Sequence, residues 1–263
     1  MNRRWIRYFS KWKRGGENME KYRNTIEFQV QGKYALFSDP VTRVGGEKSS
    51  YHLPTYEALK GIVESIYWKP TLIWRVDAFR VMKPIQTETK GVRPITYNSG
   101  NELAYYTYLK DVCYQVRAHF EFNPNHPELK QDWNENKHHN IAKRMVKRGG
   151  RRDVFLGTRE CQAFVEPCEF GEGIGYYDNM QGEVAYGFMY HGITYADEAI
   201  LEEEKNKMTT NFWRPVMKQG GIVECIYPEE CTEKRFIREM SVKHFGKENF
   251  SGLGEFTEEE VQV

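Results

Sequence analysis

Between Lys137 and Arg152 the chain reads KHHNIAKRMVKRGGRR: two adjacent histidines, seven lysines and arginines, and no carboxylate. An imidazole exchanges protons near neutral pH, so His138 and His139 are candidate general acids or bases. Seven cations in sixteen residues are a different kind of signal. The whole protein carries only +1, so the positive charge here is local, and a local cationic field is suited to a polyanion, nucleic acid first among them. Lys147 and Arg148 alone would complement the C-terminal dipole of a helix. Seven cations without one acid ask for more than that. Lys137 and His138 also stand at a helix start, where positive charge opposes the dipole, and this misfit favours a functional role.

The elements that must carry these residues are legible from periodicity. Ile26, Phe28 and Val30 alternate in a strand that runs from Thr25 to Phe37. Pro54-Thr55 opens a helix with Leu59, Ile62, Val63 and Ile66 three and four apart, closed by Trp68-Lys69-Pro70. Thr71 to Met82 is a second strand. Lys83 to Thr107 reads as an exposed hairpin or long loop, and its Lys83, Lys90 and Arg93 make it a candidate for reaching RNA or a neighbouring subunit, with nothing in the sequence deciding between the two. Leu109 to Phe122 has a period of two, with Val112, Tyr114, Val116, Ala118, Phe120 and Phe122 on one face and Asp111, Gln115, Arg117, His119 and Glu121 on the other. His119 is accordingly expected at the surface. The basic segment is a helix with Ile141, Met145 and Val146 inward and Gly149-Gly150 as its stop. Asp153 to Val165 is a fourth strand. The order β-α-β-β-α-β is the split-βαβ, ferredoxin-like (RRM-like) arrangement, an α+β class. Topology alone does not give function.

Three parts are expected: a basic N-terminal extension over 1–22, disordered or dispensable; the ferredoxin-like domain over 23–170; and a small β-rich domain over 171–263 with an acidic tail at Glu258 to Glu260. Gly171, Gly173 and Gly175 form a turn and not a dinucleotide fingerprint, since no strand-turn-helix surrounds them. The five cysteines are odd in number and include no CxxC pair, which argues for free thiols and against a disulfide framework or zinc site. No metal and no cofactor are expected. No apolar run is long enough for a bilayer, and the basic start lacks the apolar stretch of an export signal, so a cytoplasmic protein is expected.

Four long blocks, in order, carry a family resemblance: GKYALFSDPVTRVGGEKSSYHLPTYEALKGIVESIYWKPT (Gly32 to Thr71), VMKPIQTETKGVRPI (Val81 to Ile95), TYLKDVCYQVRAHFEF (Thr107 to Phe122) and GGRRDVFLGTRECQAFVEPCEF (Gly149 to Phe170). The sequence resembles the CRISPR-associated repeat-processing endoribonucleases of the subtype I-C (Dvulg) system, within the RAMP superfamily, strongly over residues 23 to 170. The resemblance implies a ferredoxin-like domain followed by a small β-domain. It implies metal-free cleavage of the precursor transcript at each repeat hairpin, with the 5′ handle retained in a complex with backbone and large subunits. It also implies a catalytic Tyr at the end of the first helix and a Lys-His pair opening the second, which here are Tyr67, Lys137 and His138. His139, directly after, is a departure.

That trio suits the reaction. The 2′-hydroxyl must lose a proton, the phosphorane must be stabilised, and the leaving 5′-oxygen must gain a proton. A histidine serves as acid or base. An ammonium neutralises charge on the nonbridging oxygens. A tyrosine hydroxyl orients the nucleophile, or acts as base where cations lower its pKa. The expected RNA contacts are Arg43, Lys48, Lys143, Arg144, Lys147, Arg148, Arg151, Arg152 and Arg159. The rival readings are a non-catalytic scaffold capping the guide RNA handle, and a DNA-binding module using the same basic surface.

Overall fold

The computed structural model of the chain describes residues 22–40, 42, 46–93 and 103–244. Most of the N-terminal extension, Arg43 and the acidic tail lie outside the described residues. In chain order the elements are β1 (Ile26–Ala35), β2 (Lys48–Ser49), α1 (Tyr56–Ile66), β3 (Leu72–Val81), β4 (Thr87–Val92), β5 (Ala104–Phe122) and α2 (Glu135–Arg148). Then come β6 (Val154–Phe155), β7 (Gln162–Pro167), β8 (Val184–Ala185), β9 (Met189–Thr194), β10 (Lys207–Trp213), β11 (Val216–Lys218), β12 (Ile222–Glu224) and β13 (Glu233–Glu239).

The alternation in β1 buries Ile26, Phe28 and Val30, and β5 buries Val116, Ala118 and Phe120 on the same face. β1 is antiparallel to β5 and to β7, and β5 is antiparallel to β3, so the central order is β7-β1-β5-β3. Counted as the strands read from sequence, this is fourth, first, third, second. Leu59, Ile62, Val63 and Ile66 of α1 and Ala142 and Val146 of α2 fill the core with those strand residues. The Thr55 hydroxyl caps α1 by accepting from the Ala58 amide at 3.2 Å, an interaction worth about 1 kcal/mol. The structure thus has a mostly antiparallel sheet with few helices.

Two elements differ from the sequence reading. The expected strand from Asp153 to Val165 is broken into β6 and β7 by a turn at Gly157, whose φ is +92°. A Cβ there would meet the Leu36 carbonyl oxygen at 2.0 Å, so the close approach of β1's end excludes any other residue. β5 begins five residues before Leu109, because Ala104 to Leu109 pairs with β4 as a ribbon. Leu103 and Tyr105 alternate with Ala104, Tyr106 and Tyr108, which puts apolar and aromatic residues on both faces, so no period-two contrast marks that half.

His119 is a correction. It is only 2% exposed, its Nδ1 lies 2.8 Å from Asp77 Oδ1, and Tyr22 stacks on its ring at 3.9 Å. The polar face of β5 is covered by other parts of the chain. Arg80 organises much of that cover: its guanidinium donates to the carbonyls of Glu172, Gly173 and Gly220 and to Asp178 Oδ1, at 2.6–3.1 Å.

After residue 170 the strands divide. β12, β11 and β8 extend the main sheet beyond β3, while β13-β10-β9 form a separate three-stranded sheet. That second sheet meets α1, where His191 stacks on Tyr56 at 4.3 Å and Lys60 pairs with Glu198. All five cysteines are free. No helix among the described residues is long and apolar enough to cross a membrane.

Candidate active site

Tyr67 caps the C-terminal end of α1. Its backbone is already extended (φ −157°, ψ 120°), while its N–H still donates to the Val63 carbonyl at 3.0 Å. Its own carbonyl accepts from the Trp74 indole at 2.7 Å, which fixes where the side chain leaves the helix. The ring is buried, and the hydroxyl lies 2.8 Å from His138 Nδ1, across seventy-one residues of sequence.

His138 occupies the first turn of α2. Asn134 is the N-cap, its side-chain oxygen accepting from the Lys137 amide at 3.0 Å. The imidazole is completely buried, with Phe120 and Phe122 packed against it edge to face. Its Nε2 is 2.7 Å from the Asp132 carbonyl oxygen. A carbonyl only accepts, so Nε2 carries the proton and the Nδ1 lone pair of the neutral ring faces the Tyr67 hydroxyl, which donates. Burial lowers the His138 pKa below the usual value, against an opposing pull from Asp132. Burial and Asp132 together raise that of Tyr67, with Arg151 acting in the other direction. Near neutral pH both groups are uncharged, and a single hydrogen bond joins them.

Asp132 is the residue that the sequence reading missed. Its carboxylate contacts Lys137 Nζ at 2.5 Å, the Thr71 hydroxyl at 3.1 Å and Lys69 Nζ at 3.4 Å, with His138 Nε2 at 3.5 Å. Burial would push this carboxyl up, yet Lys137, His138, Thr71 and Lys69 together hold it below the usual range. The unfavourable cation at the start of α2 therefore has its counter-charge one turn upstream. Lys137 itself remains half exposed and is the accessible charge of the group.

Tyr67, Lys137 and His138 are thus brought together. His139 is not part of the set: its Nε2 turns to the Thr25 carbonyl at 3.0 Å, beside β1. Lys143, Arg144, Lys147 and Arg148 stand exposed along α2, and Arg151 and Arg152 in the turn after it. None of these six pairs with a carboxylate among the described residues. The amides of Arg151 and Arg152 both donate to the Ser65 carbonyl in the last turn of α1, at 3.2 and 3.1 Å. Arg159 is exposed in the turn between β6 and β7, over the Phe155 ring at 6.0 Å. Lys48, on β2, lies over the Tyr106 ring at 5.0 Å, on the β4–β5 ribbon.

The arrangement can move a proton between a hydroxyl and an imidazole, next to an ammonium and a row of unpaired cations. A family model described as CRISPR-associated protein (Cas_Cas5) matches residues 25–223. The chain is similar to the CRISPR pre-crRNA endoribonuclease Cas5d of Mannheimia succiniciproducens, 27% identical over 234 residues that cover 79% of this chain and 98% of that one. The protein of the same name from Thermus thermophilus is 29% identical over 151 residues, 54% of this chain and 63% of its own length. Among solved structures, a CRISPR-associated protein superposes with a TM-score of 0.67 and 33% identity, over 83% of this chain and 100% of that one.

Proposed function

We propose, from the premise that this chain belongs to the Cas5 family of CRISPR-associated proteins, that it is a pre-crRNA endoribonuclease cutting its repeat RNA without metal. The observation that carries the reading is the 2.8 Å bond between Tyr67 and His138 beside Lys137, a set able to cleave RNA through its own 2′-hydroxyl. The 2′-oxygen attacks phosphorus, the bond to the 5′-oxygen breaks, and the products are a 2′,3′-cyclic phosphate and a 5′-hydroxyl. Tyr67 and His138 exchange the two protons, one leaving the 2′-hydroxyl and one arriving at the 5′-oxygen. Lys137 releases Asp132 and neutralises the phosphorane. Lys143, Arg144, Lys147, Arg148, Arg151, Arg152 and Arg159, with Lys48 and Arg43, hold backbone phosphates.

The finer fold assignment belongs to the same reading. The β7-β1-β5-β3 order with both helices contributing to one core supports a ferredoxin-like domain over 23–170, followed by a β-rich part over 171–263. The protein acts in the cytoplasm and keeps the 5′ handle within a type I-C complex of backbone and large subunits.

Purified protein incubated with a repeat hairpin in excess chelator tests this. Cleavage is expected, with a cyclic phosphate on the upstream product, and a single 2′-deoxy sugar 5′ of the scissile phosphate should give binding without cutting. Cleavage of the deoxy substrate, or activity lost in chelator and restored by magnesium, overturns the mechanism. Tight hairpin binding without cleavage would instead identify a scaffold, and preference for duplex DNA a DNA-binding module.

A further inference from the structure

Two ammoniums share the Asp132 carboxylate, but they do not share an oxygen. Lys137 Nζ takes Oδ1 at 2.5 Å, while Oδ2 accepts from the Thr71 hydroxyl at 3.1 Å and lies 3.4 Å from Lys69 Nζ. His138 Nε2 is 3.5 Å from the same Oδ2. Lys69 and Thr71 belong to one β-turn, Lys69-Pro70-Thr71-Leu72, closed by the Leu72 amide donating to the Lys69 carbonyl at 3.0 Å. Proline fixes φ near the value that the second position of such a turn needs, and it disfavours helical backbone at the residue before it. The turn that carries the chain away from Tyr67 is therefore preset. It brings a cation and a hydroxyl to one carboxylate oxygen, independently of what α2 brings to the other.

The cleavage reading makes a demand on this carboxylate. Lys137 must leave it to reach the scissile phosphate. The Asp132 side chain is only 22% exposed, so stripping it of every partner would be costly. Its bare charge, beside His138, would also repel a phosphorane that is gaining negative charge. Two ammoniums and one carboxylate leave one positive charge for the RNA. With a single ammonium they would leave none.

We infer that Lys69 is the positioning residue that makes this transfer possible: it holds Asp132 through Oδ2 while Lys137 passes from Oδ1 to the RNA. The inference rests on the endoribonuclease reading and adds a residue to it. The electrostatics run the same way. Burial lowers the His138 pKa, Asp132 opposes that, and Lys137 and Lys69 lower it further. Once Lys137 has left, Lys69 is the ammonium that still offsets Asp132 at the imidazole, and the ring stays neutral and able to take a proton. Lys69 is 40% exposed, so its charge can be removed without opening the core.

Single-turnover cleavage of bound repeat RNA tests this in Lys69→Met, Lys69→Arg and Asp132→Asn, at a pH above the acidic limb of each. Lys69→Met should slow cleavage about five- to tenfold, the range for an ion pair on a partly buried carboxylate, with RNA affinity within a few-fold. Its acidic limb should move to higher pH, because a cation that lowers the His138 pKa is gone. Lys69→Arg keeps the charge and should recover most of the rate. In the Asp132→Asn background no carboxylate remains for Lys69 to hold, so adding Lys69→Met should slow cleavage no further. Effects that multiply in the double variant overturn the inference. So does a Lys69→Met protein that loses affinity and salt slope while cutting bound RNA at the wild-type rate, since Lys69 is then a phosphate contact. If wild type cuts no repeat RNA, the endoribonuclease reading fails separately, and carboxyl titration by NMR without RNA decides the role of Lys69. Asp132 should titrate at higher pH in Lys137→Ala with Lys69→Met than in Lys137→Ala alone, and coincident curves reject the role.

Discussion

The two ends of α2 treat charge in opposite ways. At the N-terminal end the groups of the candidate site are engaged: His138 between Tyr67 and Asp132, and Lys137 on Asp132, with Lys69 and Thr71 also reaching that carboxylate. Towards the C-terminal end six cations stand exposed without a carboxylate among the described residues. One end of a single helix is fixed for a chemical step, and the other leaves its charge free for a partner. The difference separates rate from affinity, and substitutions at the two ends should separate them as well.

The largest effect belongs to His138. His138→Ala should slow cleavage by about 10²–10⁴-fold, the range for a positioned proton-transfer group, with hairpin affinity within a few-fold. Because the imidazole is fully buried, His138→Gln is the companion variant that retains a donor for the Asp132 carbonyl. Equal losses of binding and rate in both variants would break the separation. Asp132→Asn comes next. It leaves Lys137 and His138 in place but removes the charge that holds them, and a drop of about tenfold is expected, from the strength of hydrogen bonds to charged groups. The pH–rate profile discriminates here, since losing the carboxylate lowers the His138 pKa further and moves the acidic limb to lower pH. An unmoved limb would reduce Asp132 to a packing residue.

Stability at this end should also respond to acid. The folded-state pKa of His138 lies below its unfolded value, so the unfolded chain takes up the proton first as pH falls. The His138 contribution is therefore complete above about pH 6.5 and is lost as pH drops towards the folded value. Denaturant midpoints of wild type and His138→Gln measured from pH 7.5 to 5 should converge on the acid side. Parallel curves would refute the assignment. The smallest effect on rate is expected at the other end. Lys147→Ala with Arg148→Ala should flatten the slope of log affinity against log salt by about 1.4, at about 0.7 per single-strand phosphate, without changing cleavage of bound RNA. Arg151→Ala should change both quantities, because its charge also acts on Tyr67.

What the sequence made legible follows the same division. Leu59, Ile62, Val63 and Ile66 recur at helical spacing, so α1 and its exit at Tyr67 were readable, and the density of the cations was visible without any fold. His138 was visible as one of two adjacent proton-moving groups in a basic segment, but Tyr67 became a candidate only through family resemblance, since a tyrosine on an apolar stripe otherwise reads as core. Asp132 gave no signal. Its ties to Lys69 and Thr71 span more than sixty residues, and a lone acid ahead of a helix reads as solvated charge. His119 was misread for a related reason: a period of two says which face a residue takes, and not whether Tyr22 and Tyr227 will cover that face.

Gly150, just beyond the cations, has a reach larger than its size. Its φ is +112°, and a Cβ there would stand 3.0 Å from the Arg152 carbonyl oxygen, in the turn whose amides clasp Ser65. α2 is thereby moored to the last turn of α1 at both extremities, by Ser65 at one and by Tyr67 at the other. About 16 Å of helix separates the moorings, at 1.5 Å per residue from His138 to Gly149. The turn works as a tuning peg: slackening it lets the whole rod slide or rotate, and the hydroxyl and imidazole go out of alignment although neither has been touched. Gly150→Ala should consequently lower the cleavage rate more than it lowers RNA affinity, a defect in timing from a residue that takes no part in the chemistry.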